Sequence, residues 1–469
     1  MLLKEKKKYR LSNESLLLFL IIILGIFLRV YRMDKMAPFD FDQEYAANFA
    51  YSVLKVFPVQ LIGQGLSVQG LFMGPLYFYY LVPFYFLTSL HPLGGVIGSI
   101  VLGLVTVFAY FWIGKKFFGS CAGLILAFWR ATFISKLQVD WAVTPSMSSE
   151  LLVLVTWYLF FRYWQGKTKY LPLLGLVFGL YTSFHPILFP FYFVFITIVL
   201  IKRFVPNFKT ILLSVVAFII PLLPLIIFEC LHSFWEVKNL ISVFGGKSVE
   251  VEVFSRFMYH LYVNIREPNL VFGLLLEQYW LLFTVVATFI FILAWRKIDF
   301  WKESFHRVML PLTFGIFVIY YTLFPTHVPE YYFLAISVLF FFYTGGIVSL
   351  LAKRRILRPI LVLIVVFLAV VNFKGLIDSW NYPTPAALYN KDQIVKEILR
   401  RQPSTSDFYV SYIKELGWNF GFNYLFTYYG HTPQTKEAKK PIYTIVIPKS
   451  LSLGNLDFTS GNIGLIVEQ

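Results

Sequence analysis

Long apolar runs separated by short polar segments fill most of the chain. A membrane-spanning helix needs about 20 consecutive apolar residues, and eleven segments satisfy this rule. They are residues 15–31, 71–90, 94–114, 147–163, 171–185, 187–201, 210–229, 271–294, 308–325, 331–351 and 359–377. A further run, residues 121–135, is short and contains Arg130. The pattern predicts an α-helical polytopic membrane protein with about eleven transmembrane helices.

Lysine and arginine residues cluster between these runs and indicate the orientation of the chain. One cluster lies in the amino-terminal segment 1–14, and the others lie at residues 162–169, 202–209, 296–307 and 353–358. Because cytoplasmic loops carry an excess of Lys and Arg, we expect all five clusters in the cytoplasm. Eleven crossings then suffice, so residues 121–135 are expected to be re-entrant or peripheral. Lys115 and Lys116 fall on the outer side in this arrangement, against the rule.

This topology divides the chain into three parts. They are a cytoplasmic amino terminus (1–14), a membrane domain (15–377) with outer loops 32–70 and 229–268, and an outer carboxyl-terminal part (378–469). In the last part, helical patterns at 391–401 and 418–429 alternate with strand-like patterns at 407–413, 442–447 and 463–467. Alternating signals over a domain-sized stretch predict a small soluble extracytoplasmic α/β domain.

Composition supports a membrane protein and excludes a nucleic-acid partner. The 469 residues are 58% hydrophobic and 14% charged, against roughly 25% charged residues in soluble domains. The net charge of +16 would suit a nucleic acid, but the basic residues fall in short clusters between apolar spans. We therefore expect the lipid bilayer as a partner and no nucleic acid.

Three carboxylates lie within a five-residue stretch beside the first apolar run. They are Asp40, Asp42 and Glu44. A carboxylate at the edge of a hydrocarbon layer is costly unless it is solvated or paired, so this cluster is a functional candidate. The structural alternative is a helix amino-terminal cap, for which Asp is favoured. On a helix beginning near Asp42, the three side chains cannot all point to one site.

The order of these motifs resembles a known family. An Arg29-Val30-Tyr31-Arg32 run is followed by the acidic cluster and then by Gly74-Pro75-Leu76-Tyr77. Together they resemble the GT-C superfamily of integral-membrane glycosyltransferases, in the branch of protein O-mannosyltransferases and aminoarabinose transferases (families 39 and 83). Residues 179–185, 228–232 and 329–333 resemble later segments of the same branch. The likeness covers residues 15–377.

The resemblance implies transfer of a monosaccharide, with inversion, from a polyprenyl-phosphate donor. The acceptor would be a hydroxyl group of a protein, a glycan or a lipid at the outer face of the membrane, with a prokaryotic plasma membrane as the expected location. Such chemistry needs a base for the acceptor proton, a task that suits a carboxylate in a dry pocket. By position Asp42 is the expected base, with Glu44 and Asp40 as alternates.

The sequence departs from the family pattern where a lysine would meet the lipid phosphate. That neighbourhood reads Phe72-Met73-Gly74 here, so another cation must serve. The candidates for the phosphate are Lys238, Lys247, Arg256, Arg266 and His327, and those for other substrate contacts are His185, Tyr77, Glu229 and His232. We predict no metal site, because His327 and Glu330 lack a third ligand. The resemblance leaves a divalent cation open as a cofactor.

Several of these residues also have ordinary structural interpretations. His185 lies at a helix break before Pro186, and Glu229 with His232 could be an interfacial pair. Two other classes of protein remain as alternatives. A transporter or lipid flippase would carry charges deep within its spans and often repeated halves, whereas we find no repeat and expect few buried charges. A non-catalytic membrane scaffold would need no carboxylates beside the membrane.

Overall fold

The computed structural model describes residues 13–57, 59–245, 253–270, 303–324, 328–382, 384, 386–402, 408–415, 418–433 and 441–468. Its α-helices are α1 Asn13–Val30, α2 Met33–Met36, α3 Phe41–Tyr51, α4 Leu76–Leu87, α5 Leu93–Phe118, α6 Ser120–Thr132, α7 Ile134–Trp141, α8 Pro145–Ser148, α9 Glu150–Trp164, α10 Leu171–Phe184, α11 Pro190–Lys202, α12 Phe208–Leu231, α13 Trp235–Gly245, α14 Val253–Leu270, α15 Ser304–Leu323, α16 Leu334–Lys353, α17 Arg358–Asn381, α18 Leu388–Arg401 and α19 Phe422–Tyr428. Each predicted span therefore contains a helix, except 271–294, which lies outside the described residues.

The protein is an integral multi-pass membrane protein. Among the described helices, six are long and apolar enough to cross a membrane, and a seventh crossing results if the bent pair α6 and α7 counts as one span. The six spans are Asn13–Val30, Leu93–Phe118, Phe208–Leu231, Ser304–Leu323, Glu330–Lys353 and Arg355–Asn381. Helices α9, α10 and α11 are shorter and occupy predicted spans within the bundle.

Helix α6 runs alongside α1 from one end to the other. At one end, Glu14 of α1 pairs with Lys115 at 2.5 Å and accepts a hydrogen bond from Ser120 at 3.3 Å. At the other end, Arg29 of α1 donates to the Ala131 carbonyl at 2.9 Å. The 13 residues of α6 rise ~20 Å, so α6 covers nearly the depth of α1. These contacts favour a crossing at residues 121–135, which were expected to be re-entrant or peripheral; by length and composition alone, the bent pair α6 and α7 is a broken span or a re-entrant loop.

Helix α4 is short for a membrane-spanning helix. Its 12 residues rise only ~18 Å. Near its start, the ring of Phe78 packs 5.0 Å from that of Tyr45 on α3. Just beyond its end, the Leu90 carbonyl accepts a hydrogen bond at 2.7 Å from Tyr424 in the carboxyl-terminal domain. Because α3 also contacts Tyr424, both ends of α4 lie beside that domain.

The contacts of α4 and α6 favour a different topology for these two segments, in which 121–135 crosses the membrane and 71–90 does not. The contact with Glu14 now places Lys115 and its neighbour Lys116 on the side of the amino terminus. The conflict with the distribution of basic residues disappears.

The carboxyl-terminal part forms the predicted small α/β domain. Its four-stranded sheet has the order β1-β2-β4-β3, with β1 Tyr409–Lys414, β2 Ile442–Ile447, β3 Phe458–Ser460 and β4 Ile463–Glu468. Strands β1 and β2 are parallel and are joined through α19, while β4 pairs antiparallel with both β2 and β3. Only β3 was not predicted, because three residues are too few for a recognisable alternation.

This domain shares its apolar core with the first outer segment. Buried side chains of both parts pack into one cluster, including Phe39 before α3, Tyr77 of α4, Ile394 of α18 and Tyr424 of α19. The backbones also pair, since Phe39 donates to the Ala386 carbonyl at 2.9 Å. The domain therefore holds the acidic segment in place rather than hanging free from the bundle.

Five charged side chains form a buried network among α1, α6, α7 and α9. Arg130 bonds both oxygens of Asp140 at 2.7 and 2.8 Å and one oxygen of Glu150 at 2.7 Å. Arg29 bonds Asp140 at 2.8 Å, and Lys136 bonds Glu150 at 2.6 Å. The expectation of few buried charges was wrong, because Arg29 and Glu150 lie near the ends of predicted spans and the other three lie in segments that were not counted as spans.

Candidate functional site

Helix α3 presents the acidic segment, and its first turn carries Asp42. The backbone N–H of Asp40 donates to the Gln43 side-chain oxygen at 2.9 Å, which fixes the start of the helix. The Asp42 side chain is half-buried and accepts a hydrogen bond from Gln64 Nε2 at 2.6 Å. Burial raises the pKa of Asp42, an effect that the Gln64 hydrogen bond opposes and the nearby charge of Asp40 reinforces.

The other two carboxylates of the cluster point to the carboxyl-terminal domain. Asp40 pairs with Lys391 of α18 at 2.5 Å. Glu44 is buried and accepts a hydrogen bond at 3.0 Å from the backbone N–H of Tyr424, in the first turn of α19. The structure thus separates the three predicted acids, since only Asp42 faces away from that domain.

The partner of Asp42 belongs to a short two-stranded loop, residues 63–74. Gly63 donates to the Met73 carbonyl at 2.6 Å, and Met73 donates back to the Gln64 carbonyl at 2.8 Å. At Gly63 a Cβ atom would lie 2.8 Å from the Gly74 carbonyl oxygen, so glycine allows this close pairing. Sequence reasoning missed Gln64, because nothing in a single glutamine between glycines signals a role.

Two tyrosines lie within electrostatic reach of the Asp42 carboxylate, Tyr77 of α4 and Tyr331 before α16. Tyr77 is fully buried, and its hydroxyl accepts a hydrogen bond from Ser148 at 3.2 Å. The ring of Tyr331 meets the ring of His185 edge to face at 5.6 Å. His185 lies at the break between α10 and α11, where its Nδ1 accepts the Ile187 N–H at 3.2 Å. The structure therefore brings Asp42, Tyr77, Tyr331 and His185 together.

Two predicted site residues at the end of α12 make local contacts, and a third, on α13, is exposed. Glu229 accepts the backbone N–H groups of Glu236 at 2.9 Å and of Val237 at 3.2 Å, and so caps the start of α13. The ring of His232 stacks on the ring of Phe228 at 4.0 Å. Lys238 is exposed on α13.

Helix α13 also fastens the loop that carries Gln64. Glu236 accepts the Phe72 N–H at 2.7 Å, and Asn239 donates to the Gly70 carbonyl at 3.1 Å. Partial burial, with a smaller contribution from Glu229, raises the pKa of Glu236 to about 7. The two outer segments therefore meet at residues 70–72, a few residues before α4.

Arg256 is a candidate cation on the helix that contacts the segment before Tyr331. It lies on α14 and donates to the Phe324 carbonyl at 2.7 Å, while its Nε is buried and has no hydrogen-bond partner among the described residues. One turn along α14, Tyr259 bonds Glu330 at 3.2 Å, directly before Tyr331. Arg266 lies further along α14, and Lys247 and His327 lie outside the described residues.

No group of three or more His, Cys, Asp or Glu side chains in the described part of the chain is arranged to hold a metal ion. Asp42 is the acid of this site, with an amide donor, two tyrosines and a histidine near it. Its chemistry is that of a single half-buried carboxylate that can accept a proton.

The fold and the site define a class: a multi-pass helical membrane protein in which an acidic helix packs against a carboxyl-terminal α/β domain. No protein-family model and no curated protein matches the sequence. Among solved structures, ArnT from Cupriavidus metallidurans bound to undecaprenyl phosphate has a TM-score of 0.56 at 10% identity, over 96% of this chain and 97% of that chain. The same protein in the apo state has a TM-score of 0.54 at 10% identity, over 97% and 98%. The chain therefore shares the fold of ArnT over nearly its whole length.

Proposed function

We propose that this protein is a GT-C-type glycosyltransferase that moves a monosaccharide from a polyprenyl-phosphate donor to an acceptor hydroxyl at the outer membrane face. The observation that carries the proposal is the half-buried Asp42 carboxylate in a fold like that of ArnT, which was solved with undecaprenyl phosphate. The carboxyl-terminal domain would lie outside the cell, with the amino terminus in the cytoplasm. This orientation agrees with the basic clusters.

Asp42 serves as the general base in this proposal. Its carboxylate takes the proton of the acceptor hydroxyl as that oxygen forms a bond to the anomeric carbon. The bond from the anomeric carbon to the phosphate oxygen breaks at the same time, so the polyprenyl phosphate leaves with both bonding electrons and the anomeric centre is inverted. Partial burial strengthens the carboxylate as a base because it raises the pKa.

Arg256 is the residue we propose for the donor phosphate. An arginine can offer two parallel donors to phosphate oxygens, and such charge-assisted bonds stabilise a leaving group that gains charge. The Nε of Arg256 is buried without a partner among the described residues, so it has donor capacity to spare. His185 and Tyr331 would line the sugar pocket, and the fully buried Tyr77 would support its wall.

Buried charges are also expected in a transporter or flippase, so the buried ion network has to be weighed against that alternative. Each of the network's three cations is hydrogen-bonded to one or both of its two carboxylates, at 2.6–2.8 Å. Charges fixed in this way cross-link helices and do not offer free sites along a path. A scaffold, in turn, would not need the half-buried Asp42. The transferase accounts for both features.

The test is a transfer assay with the protein reconstituted in liposomes, using a panel of polyprenyl-phosphate sugars, a broad acceptor mixture and nucleotide sugars as the control donor. We expect transfer from a lipid-linked donor and a loss of about 100-fold or more in Asp42→Asn, the size of a general-base contribution. Asp40→Asn and Glu44→Gln should keep the activity, since both acids contact the carboxyl-terminal domain. An arm with a chelator decides whether a divalent cation takes part.

Full activity in Asp42→Asn would move the base to Glu44 or Asp40. Transfer from no lipid-linked donor, with the protein folded, would contradict the transferase and favour the scaffold. In Arg256→Met, we expect a higher KM for the donor, and an unchanged KM would remove Arg256 from the phosphate site.

A further inference from the structure

We propose that Gln64 is a positioning residue that orients the Asp42 carboxylate and keeps it ionised. The catalytic role in this inference rests on the proposed function, whereas the contact between Gln64 and Asp42 is seen directly in the structure. Gln64 is buried, and its Nε2 donates to Asp42 Oδ1 at 2.6 Å. This leaves Oδ2, which accepts no hydrogen bond from a described residue, as the oxygen that takes the acceptor proton.

The position of the Gln64 amide is itself fixed from both sides. Its carbonyl accepts the Met73 N–H at 2.8 Å, and the neighbouring Gly63 donates to the Met73 carbonyl at 2.6 Å. The end of the loop is tied to the bundle, because Gly74 donates to the Thr182 carbonyl at 3.0 Å. A rigid second contact of this kind holds a reacting group in one geometry.

Gln64 also affects the ionisation of the Asp42 carboxyl group. Burial and the like charge of Asp40 both favour the neutral acid, whereas a donated hydrogen bond favours the carboxylate. Among the described residues, the other titratable groups near Asp42 are Tyr77 of α4 and Tyr331 before α16, and neither supplies a positive charge. Lys391 is engaged with Asp40. Gln64 is thus the described donor that opposes protonation of the base.

The first readout does not depend on catalysis. A hydrophobic carbodiimide modifies a protonated carboxyl group, and tandem mass spectrometry assigns the modification to Asp42, Asp40 or Glu44. As the pH rises, the modification of Asp42 should disappear at a higher pH in Gln64→Leu than in the native protein. It should persist to the highest pH in Gln64→Glu, which keeps the size of the side chain but places a like charge beside Asp42.

The second readout is the pH profile of transfer. Loss of a hydrogen bond to a charged group should lower kcat/KM about 10- to 100-fold at neutral pH, with the acidic limb of the profile shifted to higher pH. Gln60→Leu is the matched control, because Gln60 bonds Ser52 and the Phe57 carbonyl and does not contact Asp42. We expect this control to keep both the modification profile and the pH profile.

An unchanged carbodiimide profile in both Gln64 variants would overturn the assignment. So would an equal loss of activity at every pH together with a lower thermal stability, because that result describes a purely structural residue. If the native protein transfers no sugar, the proposed function fails, while the modification profile still decides whether Gln64 controls the Asp42 carboxyl.

Discussion

Asp40, Asp42 and Glu44 are neighbours in sequence but have three different partners. Asp40 pairs with Lys391, Glu44 accepts the Tyr424 N–H, and Asp42 accepts the Gln64 amide. Two of the acids therefore hold the carboxyl-terminal domain against α3, and the third faces the tyrosines and His185. A carboxylate at one of these positions cannot replace a carboxylate at another, because each acid contacts a partner that the other two do not reach.

The sequence predicted the residue types of the site better than their roles. The acidic residues were recognised because carboxylates next to lipid are conspicuous, and His185 was noted at a helix break. Gln64 could not be recognised, since its role depends on a loop pairing 22 residues away from Asp42. Glu229 and His232 were predicted as substrate contacts on the same criterion, but they make the local contacts of a helix end.

Glu236 makes the junction of the two outer segments sensitive to pH. Its pKa is raised from an ordinary value of 4.5 to about 7. Between these two values the folded protein binds more protons than the unfolded chain, so its stability falls as the pH rises through this window. In Glu236→Gln the side chain stays neutral and can still accept the Phe72 N–H.

We therefore expect the melting temperature of the native protein to drop, relative to Glu236→Gln, as the pH is raised from about 5 to about 8. The measurement is thermal unfolding in detergent at several pH values, with Glu468→Gln, an exposed carboxylate on β4, as the matched control. A constant difference between the two proteins over this range would contradict the raised pKa of Glu236.

At the scale of elements, α4 and α6 are the helices whose contacts favour a topology other than the predicted one. Segment 71–90 is more apolar than many true spans, yet Thr88 ends α4 after 12 residues and the chain turns back beside Tyr424. Segment 121–135 is short and contains Arg130, and it was not counted because eleven crossings already placed the basic clusters on one side. Hydropathy cannot register that Asp140 and Glu150, from two other helices, neutralise this arginine. Long apolar spans were predicted well, because no tertiary partner is needed to recognise them.

Arg130 ties α6, α7 and α9 together, and its loss should be severe. Removing one member of a buried ion network leaves the others uncompensated, which costs about 3–5 kcal/mol. We expect Arg130→Met to lower the yield of folded protein and its unfolding free energy by this amount. The matched control is Lys115→Met, because the pair with Glu14 is exposed and such pairs contribute about 0–1 kcal/mol. Equal effects of the two substitutions, measured by unfolding in mixed micelles, would contradict the importance of the buried network.

At the scale of the whole molecule, the carboxyl-terminal domain and the first outer segment behave as one body. They share a core that includes Phe39, Ile394 and Tyr424, and the Pro38 and Ala387 backbones form an isolated β-bridge. The buried Lys391 adds bonds to the Phe39 carbonyl at 2.9 Å and the Phe420 carbonyl at 2.8 Å. The sequence predicted the domain but not this union, since strand and helix patterns do not report which surfaces meet.

The same union leads to a prediction for the topology of the molecule. If α4 does not cross the membrane, the turn at Ser89 lies on the side of the carboxyl-terminal domain, whereas Lys116 at the end of α5 lies on the side of the amino terminus. Single cysteines at Ser89, Lys116 and the exposed Thr459 of β3 report these positions, after the exposed Cys121 and Cys230 are replaced by serine. The reagent is a membrane-impermeant maleimide applied to sealed vesicles.

We expect Ser89→Cys and Thr459→Cys to react from the same side of the vesicle, and Lys116→Cys to react from that side only after the membrane is permeabilised. The result follows from the contact of Leu90 with Tyr424 at 2.7 Å and from that of Lys115 with Glu14 at 2.5 Å, which fix the two ends of α5 on opposite sides. Reaction of Ser89→Cys together with Lys116→Cys would mean that α4 crosses the bilayer. In that case the segment that carries Asp42 could not lie between α4 and the carboxyl-terminal domain. The site described around Asp42 would then be wrong.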